Sequence, residues 1–131
     1  MRTSADPVAV SLEYIEAVGR KNFDRVAGLL HDDVEFQMPG KTMQGVEQYL
    51  GALKRLGAIL ERNDVKATLV DGNDVCVVYD FVTDTTVGAV PSVEWLTLDD
   101  GRIRTVRLIF HKERWPEVLA ELRNRTAALP N

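Results

Sequence analysis

The hydrophobic period of this chain changes once, near Glu61, and that change constrains the fold more than any other feature. Before it, apolar residues recur three and four positions apart. Val8, Leu12, Ile15 and Val18 form one such run, Phe23, Val26, Ala27 and Leu30 a second, and Val46, Tyr49, Leu50, Leu53, Leu56, Ile59 and Leu60 a third. This is the spacing of a helix face. A short strand separates the second run from the third, because Val34, Phe36 and Met38 alternate with Glu35 and Gln37 up to Pro39-Gly40. Beyond Glu61 the period drops to two. Val65, Ala67 and Leu69 alternate before the turn Asp71-Gly72-Asn73-Asp74. A strand through Asp80 follows, then a hairpin near Thr85 to Gly88, a strand through Glu94, the turn Asp99-Asp100-Gly101 and a last strand from Ile103 to His111. Pro116 opens a closing helix. Helices followed by strands on short turns make an α+β plan, with an antiparallel meander because such turns are too short for parallel crossovers.

Residues 1–6 read as a flexible N-terminal tail and residues 7–128 as a single domain, its first helix started by Asp6-Pro7. The 131 residues suit one domain, and 45% hydrophobic content supplies a core. The net charge of -4 argues against nucleic acid as a partner, since phosphate binding needs a concentrated basic surface. Cys76 is the only cysteine, which rules out an intrachain disulfide and a thiolate zinc cluster. His31 and His111 are far apart and lack close ligand partners, so no metal site is expected, and no cofactor is called for. No apolar run approaches the ~18–20 residues of a membrane span. The expectation is a cytoplasmic protein.

Two acids stand out. Asp80 falls in the run Asp74 to Val82 and shares a face with Cys76, Val78 and Val82; Glu94 shares a face with Leu96 and Leu98. A carboxylate on an apolar face is costly unless it is paired, protonated or in use. A hairpin centred near Val87 places Asp80 directly opposite Glu94, close enough for the two to share a proton. The alternative is that Asp80 lies at a rim and meets Arg104 or Arg107. The other face of the hairpin carries Val75, Val77, Tyr79, Phe81, Val93 and Trp95, so both faces look apolar and something must cover the second. A second copy of the chain and the folded-back C-terminal helix are the two choices.

Four stretches then carry a resemblance: Tyr14 to Val18, His31 to Gly40, Gln44 to Leu50, and Asp100-Gly101-Arg102-Ile103 with the strand after it. In this order they resemble the nuclear transport factor 2-like superfamily, in its SnoaL-like and ketosteroid-isomerase-like branch. The resemblance implies a cone-shaped α+β fold around a deep pocket, a homodimer and a small apolar organic ligand. It also implies that Tyr14 takes the place of an oxyanion-binding tyrosine. Glu94 takes that of a protonated acid, provided the Asp99-Asp100-Gly101 turn is one residue shorter than the family's. Met38 stands where the isomerases keep their base. Leu108 stands where SnoaL-like cyclases and limonene-epoxide hydrolases keep an acid, and Gln37 is a counterpart of the hydrolases' water-holding amide.

The expected function is therefore binding of a small apolar molecule, with isomerase- or cyclase-type acid–base chemistry on a carbonyl substrate. Tyr14, Asp80 and Glu94 are the catalytic candidates, and Phe36, Met38, Leu53, Val78, Leu96, Leu108 and Phe110 the ligand-binding ones. A non-catalytic ligand-binding or dimerisation module and an epoxide-hydrolase-like activation of water are the alternatives.

Overall fold

A computed structural model describes residues 6–127. The expected tail lies outside the described residues apart from Asp6. Helix α1 (Pro7–Gly19) begins where the sequence placed it: the Asp6 carboxylate accepts from the Val8 amide at 3.0 Å, and Pro7 occupies the first turn. Asn22 caps helix α2 (Phe23–Leu29) by accepting from the Arg25 amide. Strand β1 (Leu30–Met38) turns at Pro39-Gly40 into a short strand β2 (Lys41–Gln44), which the sequence reading passed over. Helix α3 (Val46–Leu56) follows. Strands β3 (Leu60–Asp71), β4 (Asp74–Thr83), β5 (Ala89–Asp99) and β6 (Arg102–Phe110) form the meander, and helix α4 (Trp115–Thr126) closes the chain.

The six strands form one sheet in the order β2-β1-β6-β5-β4-β3. All neighbours are antiparallel except β1 and β6, which are parallel. Short turns in the meander did not foretell this, because β1 and β6 are joined through the whole intervening chain and not through one turn. The β5–β6 turn pairs Asp99 with Arg102 around Asp100 and Gly101, both at positive φ, the geometry that Asp-Gly serves in a two-residue hairpin.

The β4–β5 hairpin overturns the expected register. Its centre lies earlier than Val87, with Val82 opposite Ala89 and the Thr83 amide bonded to the Gly88 carbonyl. Threonine hydroxyls fix this loop: Thr83 Oγ1 bonds the Gly88 carbonyl at 2.9 Å and Thr85 Oγ1 at 2.7 Å. Asp80 therefore faces Pro91, three residues from the expected partner, and Glu94 faces Val77. An odd slip exchanges faces. Val75, Val77, Tyr79 and Phe81 join Glu94, Leu96 and Leu98 on the inner, helix-covered side, where all seven are buried. Asp80, Val78 and Cys76 join Val93 and Trp95 on the outer side.

The helices pack on the inner face of the sheet. Helix α4 does so too: the Trp115 ring lies 4.7 Å from Phe110 and 6.4 Å from Phe81, and Arg125 bonds the Ala58 carbonyl and Asp84. The C-terminal helix thus leaves the outer face uncovered, which removes one of the two expected covers. That face displays Ile109, 59% exposed, and Trp95, 39% exposed, with the Arg107 guanidinium 4.4 Å from the Trp95 ring centre. No helix among the described residues is long and apolar enough to cross a membrane.

Candidate functional site

A cavity of about 580 Å³ lies between the inner face of the sheet and the helices. Its size is that of a small-molecule site, and its wall is mostly apolar. Of the residues expected to contact a ligand, Phe36, Met38, Leu53, Leu108 and Phe110 line it. Val78 and Leu96 do not. Val78 stands on the outer side of β4, and Leu96 is wholly buried in the core between Val75 and Val106.

Glu94 is the only charged residue buried among the described residues, at 6% exposure, and it lies in the cavity wall. Strand β5 fixes it between Val77 on β4 and Leu108 on β6. Three hydroxyls gather around it. Tyr79, diagonal to Glu94 on the neighbouring strand, donates to Oε2. Tyr14, from α1, donates to Oε1 at 3.2 Å. Tyr49, from α3, exchanges a hydrogen bond with Tyr14, and its ring stacks on Phe36 at 4.6 Å. These are the only three tyrosines of the chain, and all three line the cavity.

Burial pushes the Glu94 carboxyl up to about 7, against the opposing pull of the Tyr79 and Tyr14 hydrogen bonds. Burial likewise raises all three tyrosines well above their ordinary range, and the neighbouring Glu94 charge adds to this. The cluster therefore holds one titrating proton near neutrality, on Glu94. With Glu94 ionised, every tyrosine hydrogen has a use: Tyr49 gives to Tyr14, and Tyr14 and Tyr79 give to the carboxylate. With Glu94 protonated, the added hydrogen frees one of those donors.

Asp80 has no part in this. It lies on the outer side of the sheet, facing Pro91, and its carboxylate is 3.8 Å from the Lys66 ammonium. The expected pairing with Glu94 does not form, and neither Arg104 nor Arg107 is its partner. Arg104 is within 3.7 Å of Asp99, and Arg107 stacks on Trp95. Gln37 donates to Glu35 and is not in the cavity wall. His31 and His111 are partly or fully exposed, against Asp33 and Glu113 respectively. No group of three metal-ligating side chains occurs among the described residues.

Three residues of the site were missed in the sequence. Tyr49 read as part of a helix stripe and Tyr79 as part of the outer face. The available signal was chemical: a tyrosine within an apolar run needs a partner for its hydroxyl, and Glu94 was the acid on hand. Asn63, on β3, carries no such signal. Its amide donates to the Ile15 carbonyl at 3.0 Å, its buried Oδ1 has no hydrogen-bond partner among the described residues, and the residue lies in the cavity wall.

Comparison with known proteins agrees with this architecture. The model of the SnoaL-like domain matches residues 12–106. The chain belongs to the SnoaL-like family. No curated protein matches the sequence. Among solved structures, a nuclear transport factor 2-like protein of unknown function from Cytophaga hutchinsonii superposes with a TM-score of 0.75 at 22% identity, over 88% of this chain and 98% of the other. A protein of Kribbella flavida described as a candidate ketosteroid isomerase gives 0.73 at 19% identity, over 80% and 77%. One from Sinorhizobium meliloti described as a candidate polyketide cyclase gives 0.71 at 17% identity, over 80% and 100%. At such identities the likeness concerns the fold, and a shared fold does not fix a chemistry.

Proposed function

We propose that this SnoaL-like protein binds a small, mostly apolar molecule with its carbonyl oxygen against the tyrosine–glutamate cluster, and that it moves a proton on that molecule. The observation that carries this reading is Glu94, buried at the wall of an apolar cavity, bonded to Tyr14 and Tyr79 and through Tyr14 to Tyr49. Ionised Glu94 takes a proton from the carbon next to the carbonyl. The C–H electron pair moves into the new C=C bond, and the carbonyl π pair moves to oxygen. Protonation of Glu94 releases a tyrosine hydrogen at the moment the substrate oxygen turns negative, and that hydrogen bonds the new oxyanion. In a substrate with a β,γ double bond, return of the proton to the far carbon of the dienolate completes an isomerisation; attack of the enolate carbon on an internal carbonyl leaves an alkoxide, which takes the proton back from Glu94 and completes a cyclisation. The family names found among the structural neighbours are compatible with both.

A second reading, binding without chemistry, is favoured by Met38 and Leu108. Both line the cavity with apolar side chains where the resemblance calls for carboxylates. Activation of water is less well supported, since Asp80 and Gln37 both stand outside the cavity. One experiment separates the first two: incubate the protein with an α-deuterated apolar ketone and follow loss of label. Catalysis predicts exchange above the buffer rate, falling about a hundredfold in Glu94→Gln. A ketone that binds but keeps its label at the buffer rate makes the protein a binding module.

We also propose that a second copy of the chain covers the outer sheet face, since α4 does not and Ile109 and Trp95 otherwise stand in water.

A further inference from the structure

We propose that the ligand is amphipathic: an apolar molecule with an oxygen at its buried end and a carboxylate or other anionic group at its exposed end. This rests on the reading of the cavity as a ligand site and adds to it the class of molecule held there.

The argument begins with the charges in the cavity wall. Besides Glu94 it contains two charged side chains, Lys41 and Lys112. Both are exposed, and neither has an acidic partner within ion-pair distance among the described residues. Among other exposed basic residues of the sheet, Arg104 pairs with Asp99, Lys66 with Asp80 and Arg62 with Glu61 and Asp64, while half-buried Arg107 stacks on Trp95. The nearest acid in sequence, Glu113, lies against His111.

The two lysines reach the cavity wall from different directions, Lys41 from β2 and Lys112 from beyond the end of β6. Lys41 pairs with Met38 across the turn that ends β1. Lys112 follows the end of β6, which runs parallel to β1 beside it. The bond from the His111 amide to the Pro91 carbonyl, 3.0 Å, carries the β5–β6 ladder past Phe110, so Lys112 reaches the level of Val90. Glu94 is four residues further along β5. At roughly 3.3 Å per residue, Lys112 is about 13 Å from Glu94 along the strands, and Lys41, level with Glu94 but three strands away on β2, is about 14 Å from it across the sheet. Between them the wall is Phe110, Leu108, Phe81 and Val90, with Trp115 and Leu119 opposite. A molecule filling this space meets a hydrogen-bonding cluster at its buried end, an apolar wall in the middle and the Lys112 ammonium at the far end, with the Lys41 ammonium at the side of the rim. Two or three rings, or a chain of similar length, span that distance.

The test uses a rigid probe, para-hydroxybiphenyl carboxylate, and its methyl ester, with dissociation constants measured at low ionic strength. Wild type is expected to bind the acid at least about fivefold more tightly than the ester, the effect of a partly exposed ion pair within the field of a second cation. Lys41→Met combined with Lys112→Met is expected to abolish that preference while still binding the ester, which shows that the variant is folded. Glu94→Gln is expected to change the affinity of acid and ester together and to keep their ratio. Equal affinity of wild type for acid and ester overturns the proposal and leaves the cavity reading standing. So does a preference that survives loss of both lysines. Failure of wild type to bind either probe overturns both.

Discussion

Asp80 and Glu94 occupy adjacent strands of one sheet, each amid apolar residues, and the structure puts them on opposite sides of it. Glu94 is buried in the wall of an apolar cavity, bonded to the Tyr14 and Tyr79 hydroxyls and through Tyr14 to Tyr49. Asp80 is partly exposed, beside a lysine whose side chain is 57% exposed. Residue type and flanking pattern are alike, so neither decides the chemistry. What decides it is side of the sheet, and that is set by a loop several residues away, where Thr83 and Thr85 fix the hairpin centre. One charge stays costly and becomes tunable; the other is solvated and inert.

Stability against pH gives the widest separation between the two. The folded state retains on Glu94, up to about pH 7, a proton that the unfolded chain releases near pH 4.5. Stability from this group is therefore complete below the lower value, falls across the interval and is fully lost above about 7. Glu94→Gln removes the dependence. It should raise stability at about pH 8 by as much as about 3 kcal/mol and by far less at about pH 4, as read by denaturant titration. Asp80→Asn should move stability by less than about 0.5 kcal/mol in the same assay. Equal responses from the two variants would erase the distinction between the faces.

The sequence made the fold legible and the site only in part. Period, caps and the Asp100-Gly101 turn placed the elements because those signals are local. The family pattern placed Tyr14 and Glu94. Asp80 was misplaced because register depends on the loop conformation, and Thr83-Asp84-Thr85 gives no sharp turn signature of the Asn-Gly kind. With the register wrong by an odd number, Tyr79 moved to the wrong face along with Val75, Val77 and Phe81. The parallel β1–β6 contact and the place of α4 over the cavity are long-range arrangements that no local pattern encodes.

A smaller effect sharpens the inner half of the comparison. The Tyr79 hydroxyl favours ionised Glu94 and holds its carboxyl lower than burial alone would leave it. Tyr79→Phe should therefore lift Glu94 above about 7, seen in a carboxyl NMR titration. It should also destabilise the protein by about 2 kcal/mol at about pH 8, where the carboxylate loses a charge-assisted bond, and by less in acid. An unmoved Glu94 titration would mean that Tyr79 serves packing alone. The pH profile of proton exchange should shift upward with the carboxyl.

The outer half is probed by Ile109→Asp. Ile109 pairs with Val93 across β5 and β6 and projects from the side of the sheet that bears Trp95. If a second copy covers this side, a carboxylate there is buried against apolar surface without a partner. The dimer dissociation constant in sedimentation equilibrium should then rise at least about tenfold, about 1.4 kcal/mol. The Glu94 titration should hold its position, because Ile109 and Glu94 face away from each other across the sheet. A wild-type chain that sediments as a monomer at every concentration would leave Ile109 and Trp95 in water, and would reduce the outer face to a solvated surface. Dissociation accompanied by a shifted Glu94 titration would instead mean that the two faces are coupled through β5, and that the chemistry of the cavity depends on assembly.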